Sequence, residues 1–431
     1  MSISRRSLLL ATGALGGSAL LSACGGSDPS GATAGAPTGE LEVFSWWTEG
    51  AERNGLLALL DDFKGHQPKL DFVNRAVAGG AGAKAKEELA ARLAAGHPPD
   101  SFQGHAGAEL AGYIAAGRLE GLNPLYEKEK WADHFPAALL PLIRTEGTYY
   151  SVPVNIHRAN MLWSNPAVLT AAKADPAPTS IEAFLESLQK VKRSGRIPLV
   201  LGEAWTRKHL LETVLLAGLG AERWSTLWRK GGSWSSPQVT AALQDFRDLL
   251  QLSNLADADP LSWDDATKLL GAGKAGYQVM GDWAEGTLKG SLGLHPDSGY
   301  NWAAVPGTSG MFQFLSDSFT LPAKAKHRQA ALAWLTECGS LDGQLAFNGA
   351  KGSIPARTDF PADTRALFGQ YQQWSLDQWQ KCEIVGSLTH GVVAPIEWNA
   401  EIDAALADFT TRRDLPKFQD ALAAAGAKHA T

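Results

Sequence analysis

Three cysteines in 431 residues are too few to build a disulfide scaffold. None sits in a CxxC pair, the ten histidines form no HExxH motif, and neither GxSxG nor GxxxxGK[ST] occurs. Redox, zinc-hydrolase, serine-hydrolase and P-loop nucleotide chemistry therefore lack their local signatures. No metal and no cofactor is expected. Positive charge is short as well: 39 Lys and Arg face 45 Asp and Glu, for a formal charge of −6. With no basic cluster, a nucleic-acid partner is not expected. No apolar run approaches the length needed to span a bilayer.

The amino-terminal residues carry a different signal. Arg5 and Arg6 are basic, and an apolar run from about Leu8 to Leu21 follows, too short for a stable spanning helix. It ends in Leu21-Ser22-Ala23-Cys24, the form of a bacterial lipobox. Residues 1–23 thus read as a signal peptide and Cys24 as a lipidation site. The Arg5-Arg6 pair suits twin-arginine export, and ordinary Sec export uses such pairs too. Residues 24–39 are Gly, Ala, Ser, Thr and Pro-rich and bury no core, so they read as a flexible tether. The mature chain is expected outside the cytoplasm as a membrane-anchored lipoprotein, facing a periplasm or the cell exterior. In that oxidising compartment Cys338 and Cys382 form an even pair that invites a disulfide, with two buried free thiols as the alternative.

The remaining chain is too long for one compact core, which favours two lobes. Residues 41–44 alternate as a strand, and Leu56, Leu59, Leu60 and Phe63 recur at helical spacing. A second strand over 69–74, a helix over 84–95 stopped by Gly96, and a buried strand over 100–103 complete an α/β unit with a mostly parallel sheet. Thr179 and Glu182 predict a capping box before Phe184, Leu185, Leu188 and Val191. A strand over 197–201 follows, with helices over 237–252, 264–271 and 326–338 and a mainly helical part from about Asp363. No internal repeat is visible. The pattern fits α/β, two-lobed periplasmic-binding-protein architecture with hinge-connected lobes and helical additions. The expected division is an N-terminal lobe over 40–155, a C-terminal lobe over 156–305, a return to the first over 306–355, and a helical part over 356–431 packing mainly on the second. Ligands in such folds sit outside the carboxyl ends of strands, in the crevice between halves.

Candidate residues follow from that positional rule. Trp46 and Trp47 end the first strand, and adjacent strand residues cannot both face one core. One of them has reason to face a cleft, where an indole matches the C–H face of a pyranose. Gln103 and His105 follow a strand; Trp283 follows the apolar 277–280 run; Lys351 begins a Gly-containing loop over 351–354, and Asp317 and His390 lie in the 315–318 and 388–391 segments. Each alone reads more readily as a solvated loop residue or a satisfied structural group. Together they supply the donors and acceptors that hold sugar hydroxyls.

At these residues the chain resembles the glucose-binding proteins of bacterial ABC importers, within the family 1 extracellular solute-binding proteins. The resemblance runs through Ser45-Trp46-Trp47, 78–82, the 96–107 segment, 151–158, 279–284, 315–319, 351–354 and 385–391, in that order. It implies a non-enzymatic, monomeric carrier that captures a monosaccharide, glucose with galactose or mannose as alternatives, and delivers it to permease subunits. It implies sugar contacts from Trp46, Trp47, Gln103, His105, Trp283, Asp317, Lys351 and His390, with Trp263 as a further wall. An acidic contact falls on Glu52 or Glu49, Glu52 being preferred. A disaccharide carrier and a secreted glycosidase remain as other readings; the latter needs two facing carboxyls, which nothing in the sequence pairs.

Overall fold

A computed structural model describes residues 37–48, 50–77, 82–256 and 261–430. The signal segment, Cys24, most of the tether and Glu49 lie outside the described residues. Among those described, no helix is long and apolar enough to cross a membrane.

The strands are β1 (Gly39–Ser45), β2 (Leu70–Ala76), β3 (Ser101–His105), β4 (Arg144–Thr145), β5 (Thr148–Tyr149), β6 (Ser151–Pro153), β7 (His157–Arg158), β8 (Met161–Ser164), β9 (Ile197–Leu199), β10 (Ala275–Val279), β11 (Asn301–Ala304), β12 (Met311–Leu315), β13 (Asp317–Thr320) and β14 (Glu383–Gly386). They build a two-lobed α/β fold. One lobe is centred on the five-stranded sheet β2-β1-β3-β13-β6 and the other on β11-β8-β10-β9. A small sheet, β14-β12-β7, lies where the chain passes between them, and β4-β5 is a hairpin. The β1, β2 and β3 strands are parallel, so each needs a helical crossover, supplied by helices Gly50–His66 and Ala83–Ala94. The β13 strand arrives from the other lobe through β12 and runs antiparallel between β3 and β6.

The first core packs Trp47, Phe319, Trp334 and Phe347 under the five-stranded sheet. The second packs Leu211, Val214 and Leu215 against Phe246, Trp398, Phe409 and Phe418. Its central helix, Ala204–Leu227, buries every residue from Lys208 to Leu216. A helix covered all round has no polar stripe, so periodicity does not reveal it in the sequence. Gly220 breaks it with φ 71° and ψ 170°.

Three local expectations change. The cap before Ile181 is Ser180, whose Oγ accepts from the Ala183 N–H at 3.2 Å, rather than Thr179. Lys351 is not in a loop: it ends helix Leu341–Lys351, and Gly352 closes that helix in the left-handed region at φ 94°. Cys338 and Cys382 do not pair; both are free thiols. Cys338 is packed into the first core on the buried face of helix Arg328–Gly339. Cys382 stands at the end of helix Gln370–Lys381, where its Sγ meets Gln378 Oε1 at 3.4 Å.

Candidate functional site

Sheet register assembles one side of the site. The β3 and β13 strands pair antiparallel with Asp317 opposite His105 and Phe319 opposite Gln103. The Asp317 carboxylate, 2 % exposed, accepts from Gln103 Nε2, Asn155 Nδ2 and Lys351 Nζ, each at 2.8 Å. Its own N–H donates to Asn155 Oδ1 at 2.8 Å. Burial would raise this carboxyl, but the Lys351 ammonium and the neighbouring histidines hold it well below the usual range. Lys351 also stands over the Trp47 ring at 4.6 Å, so one carboxylate and one π face share its charge.

Two histidines flank Asp317. His105 Nδ1 lies 2.7 Å from Glu109 Oε2, and its Nε2 lies 3.7 Å from Asp317 Oδ1. Glu109 would be raised by burial, yet Lys86 and His105 bring it down to about 2, so it stays charged and holds the His105 ring. His157, paired with Leu315 across β7 and β12, reaches Asp282 through Nδ1 and lies 3.4 Å from Asp317 Oδ2 through Nε2. Burial and Lys351 lower the His157 pKa, but Asp282 and Asp317 together outweigh them and the net shift is upward.

The opposite side is aromatic. Trp205 opens helix Ala204–Leu227, Trp263 opens helix Trp263–Gly271, and Trp283 follows β10 after a sharp turn at Gly281. A Cβ on Gly281 would lie 2.2 Å from the Trp283 ring, so only glycine lets that indole fold back. His390 stacks edge-on to Trp283 with centroids 5.1 Å apart. The Ser387 hydroxyl donates to Glu212, so its oxygen accepts from His390 Nδ1 at 2.9 Å. That network leaves Nε2 as the acceptor of the ring. Burial, His105 and His209 hold His390 well below its usual pKa, so it is a neutral imidazole.

Between these sides lies a cleft open to solvent and lined from both. Trp46, Glu52, His105, Trp263, Trp283, Asp317, Lys351 and His390 line it, as do Thr48, Gly82, His157, Glu203, Trp205 and Leu315. Gly82, at φ 82°, lets its backbone rest on the Trp46 indole, because a Cβ there would lie 2.8 Å from the ring. Glu52 is pushed up to about 7 by burial, against the attraction of Lys351. Two of the expected contacts are not on the wall. Trp47 packs behind it on Phe347 and Phe319, with centroids at 4.9 and 5.5 Å. Gln103 is spent on Asp317 and on the Trp46 N–H at 3.2 Å. Thr48, Gly82, His157, Glu203, Trp205 and Leu315 are the lining residues missing from the expected sugar contacts, and of their polar and aromatic side chains His157, Glu203 and Trp205 are the large ones. His157 falls inside the quoted 151–158 segment, which was the available signal.

His209, Glu212 and His390 bring ligand atoms within 4.8 Å of one another, as a metal site would. Several of their hydrogen-bonding atoms are already committed, although His209 Nδ1, 3.3 Å from Glu212 Oε1, has no hydrogen-bond partner among the described residues. His209 Nε2 donates to the Ala159 carbonyl, and Glu212 accepts from Ser387 and from the N–H groups of Leu388 and Thr389. The cluster orients His390. Chemically the site offers a slot with acceptors, donors and the buried Asp317–Lys351 ion pair at one side and indole faces at the other.

A family model described as "Bacterial extracellular solute-binding protein" matches residues 41–345. An uncharacterized ABC transporter extracellular-binding protein of Pyrococcus horikoshii is 33 % identical over 417 residues, covering 95 % of this chain and 93 % of its own. A Mesorhizobium japonicum protein named "Probable sugar-binding periplasmic protein" is 34 % identical over 330 residues, 75 % of this chain and 77 % of its own. Among solved structures, the bacterial solute receptor AcbH, described as having an exclusive preference for β-D-galactopyranose, superposes with a TM-score of 0.78. It is 18 % identical and covers 91 % of this chain and 98 % of its own, a likeness of fold.

Proposed function

We propose a single hexose for this cleft, on the premise that the chain belongs to the bacterial extracellular solute-binding proteins, among the sugar-binding components of ABC importers. Glucose is the first candidate. The observation that carries the reading is the pairing of a hydrogen-bonded polar cluster around Asp317 with indole faces across one cleft. Trp263 and Trp283 cover the sugar's C–H faces. Glu52, His105, Asp317, Lys351 and His390 meet its hydroxyls, and Gln103 and Trp47 act from behind. With three donors already on its carboxylate, Asp317 is built to hold a hydroxyl rather than to trade protons with a glycosidic bond. The chain works as a monomer, held outside the membrane by lipidated Cys24, and hands its ligand to permease subunits. Cys24→Ala should move it from the membrane pellet to the soluble fraction.

A longer glycan is a second reading. Glu203 and Trp205 also border a second groove, lined by Tyr113 and Ile396 among others. Calorimetric titration with glucose, galactose, mannose, xylose and maltose separates the two. Tight one-to-one glucose binding supports the hexose. Maltose binding without any monosaccharide binding favours the longer ligand. Heat-free titrations throughout, with no rise in melting temperature, remove the sugar reading.

A further inference from the structure

We infer that Asp62, His66 and Glu337 form a binding site for one divalent transition cation of the zinc class, separate from the cleft. Asp62 and His66 lie one turn apart on helix Gly50–His66, so their side chains leave the same face. Glu337 comes from helix Arg328–Gly339. The edge-to-face pair Phe63 and Trp334, centroids 5.6 Å apart, fixes the spacing of the two helices. One ligand atom from each of the three side chains lies within 4.8 Å of the other two.

The oxygens carry the argument. His66 Nδ1 meets Glu337 Oε2 at 3.1 Å, but Asp62 Oδ2 and Glu337 Oε1 are buried and have no hydrogen-bond partner among the described residues. The Glu337 side chain is only 6 % exposed. Two carboxyl groups buried together without another donor must either share a proton or take a cation, because their ionised oxygens accept and never donate. A cation held by one oxygen of each carboxylate and by the imidazole satisfies both oxygens and balances both charges. One nitrogen and two oxygen donors suit Zn²⁺ and its transition-metal neighbours; Ca²⁺ and Mg²⁺ take all-oxygen shells of six or more. His66, 56 % exposed, leaves a route from solvent and room for a water as the remaining ligand. The sequence shows no motif because Glu337 lies 271 residues beyond His66.

Tag-free protein should be titrated calorimetrically with zinc chloride, and with glucose in parallel. One zinc per chain is expected, with a melting temperature that rises with zinc and falls back with chelator. Cobalt(II) at the same site should show visible absorption of a four- or five-coordinate ion. His66→Ala, a change at an exposed side chain, and Asp62→Asn should each weaken zinc at least about tenfold while leaving the glucose titration unchanged. Absence of zinc binding, or zinc binding undiminished in both variants, overturns the site and leaves the two carboxyl groups sharing a proton.

Discussion

On the side of β3 and β13, one carboxylate is tied to Gln103, Asn155 and Lys351 and flanked by His105 and His157. On the other side, Trp205, Trp283 and His390 meet only through their rings, at centroid distances of 5.1 to 6.2 Å. The polar side cannot shift without stranding a buried charge. Hydrogen bonds pin His390 to Ser387 and Trp205 to Glu203, but the Trp263 and Trp283 faces can slide, because dispersion and ring contacts have shallow angular preferences. Discrimination between epimers is therefore expected from the first side, and sequence-tolerant contact area from the second.

The hardest test of that contrast is Asp317→Asn. It keeps the volume and removes the charge, leaving Lys351 buried without its counter-ion. Breaking one partner of a buried pair costs about 3–5 kcal/mol. Urea unfolding should show that loss, and sugar binding should fall below detection. Asp317→Leu combined with Lys351→Met should recover much of the stability and none of the binding. A stability change within about 1 kcal/mol for Asp317→Asn would mean that the polar side is not the stiff element.

Glu52 tests the same side by pH. Its carboxyl is raised from 4.5 to about 7, chiefly by burial. A raised folded-state pKa gives stability that is fully present below the unfolded value of 4.5 and is lost as pH rises through about 7. Glu52→Gln lacks this dependence. Between pH 4.5 and about 8, wild type should lose about 1–3 kcal/mol relative to the variant, after allowance for solvent in the cleft. Parallel stability curves for the two proteins would place Glu52 in open water.

Trp263→Ala probes the aromatic side where it is half-buried, so the fold should tolerate the change. Affinity should drop by about 1–2 kcal/mol, roughly five- to thirtyfold, from lost stacking and contact area. The ratio of glucose to galactose affinity should hold. A ratio that changes more than the affinity itself would reverse the assignment of specificity between the two sides.

What the sequence made legible follows the same division. Residues at strand ends could be found, because strand periodicity locates β1 and β3 and the ligand belongs beyond their carboxyl ends. His105 and Trp46 are of this kind, and Trp283 after β10 is another. The alternation that makes Trp46 face the cleft turns Trp47 away from it, whereas Gln103, on the same face of β3 as His105, is used up by Asp317 and the Trp46 N–H. His157 was harder: it lies in a two-residue strand whose meaning depends on Leu315, far along the chain. Trp205 stands at the head of a helix with no amphipathic signature. Glu109 and Glu212 hold His105 and His390 through tertiary contacts that no local pattern encodes.

Trp47→Phe gives the smallest expected effect and the finest cut between the two sides. Trp47 is adjacent to Trp46 in sequence but 1 % exposed, with Lys351 Nζ 4.6 Å above its ring. If it touched sugar, shortening the indole would cost as much affinity as a change on the aromatic side. As placed, it contributes a π face under a lysine already paired with Asp317, and phenylalanine keeps a π face. Stability should fall by about 1–2 kcal/mol from the space left in the core. Affinity should change by less than about threefold, because Lys351 keeps its carboxylate partner and its position. Trp46→Phe, one residue earlier and on the lining, should show the opposite balance: a smaller loss of stability and a larger loss of affinity. Equal affinity losses for the two substitutions would mean that Trp47 reaches the ligand when the cleft is filled.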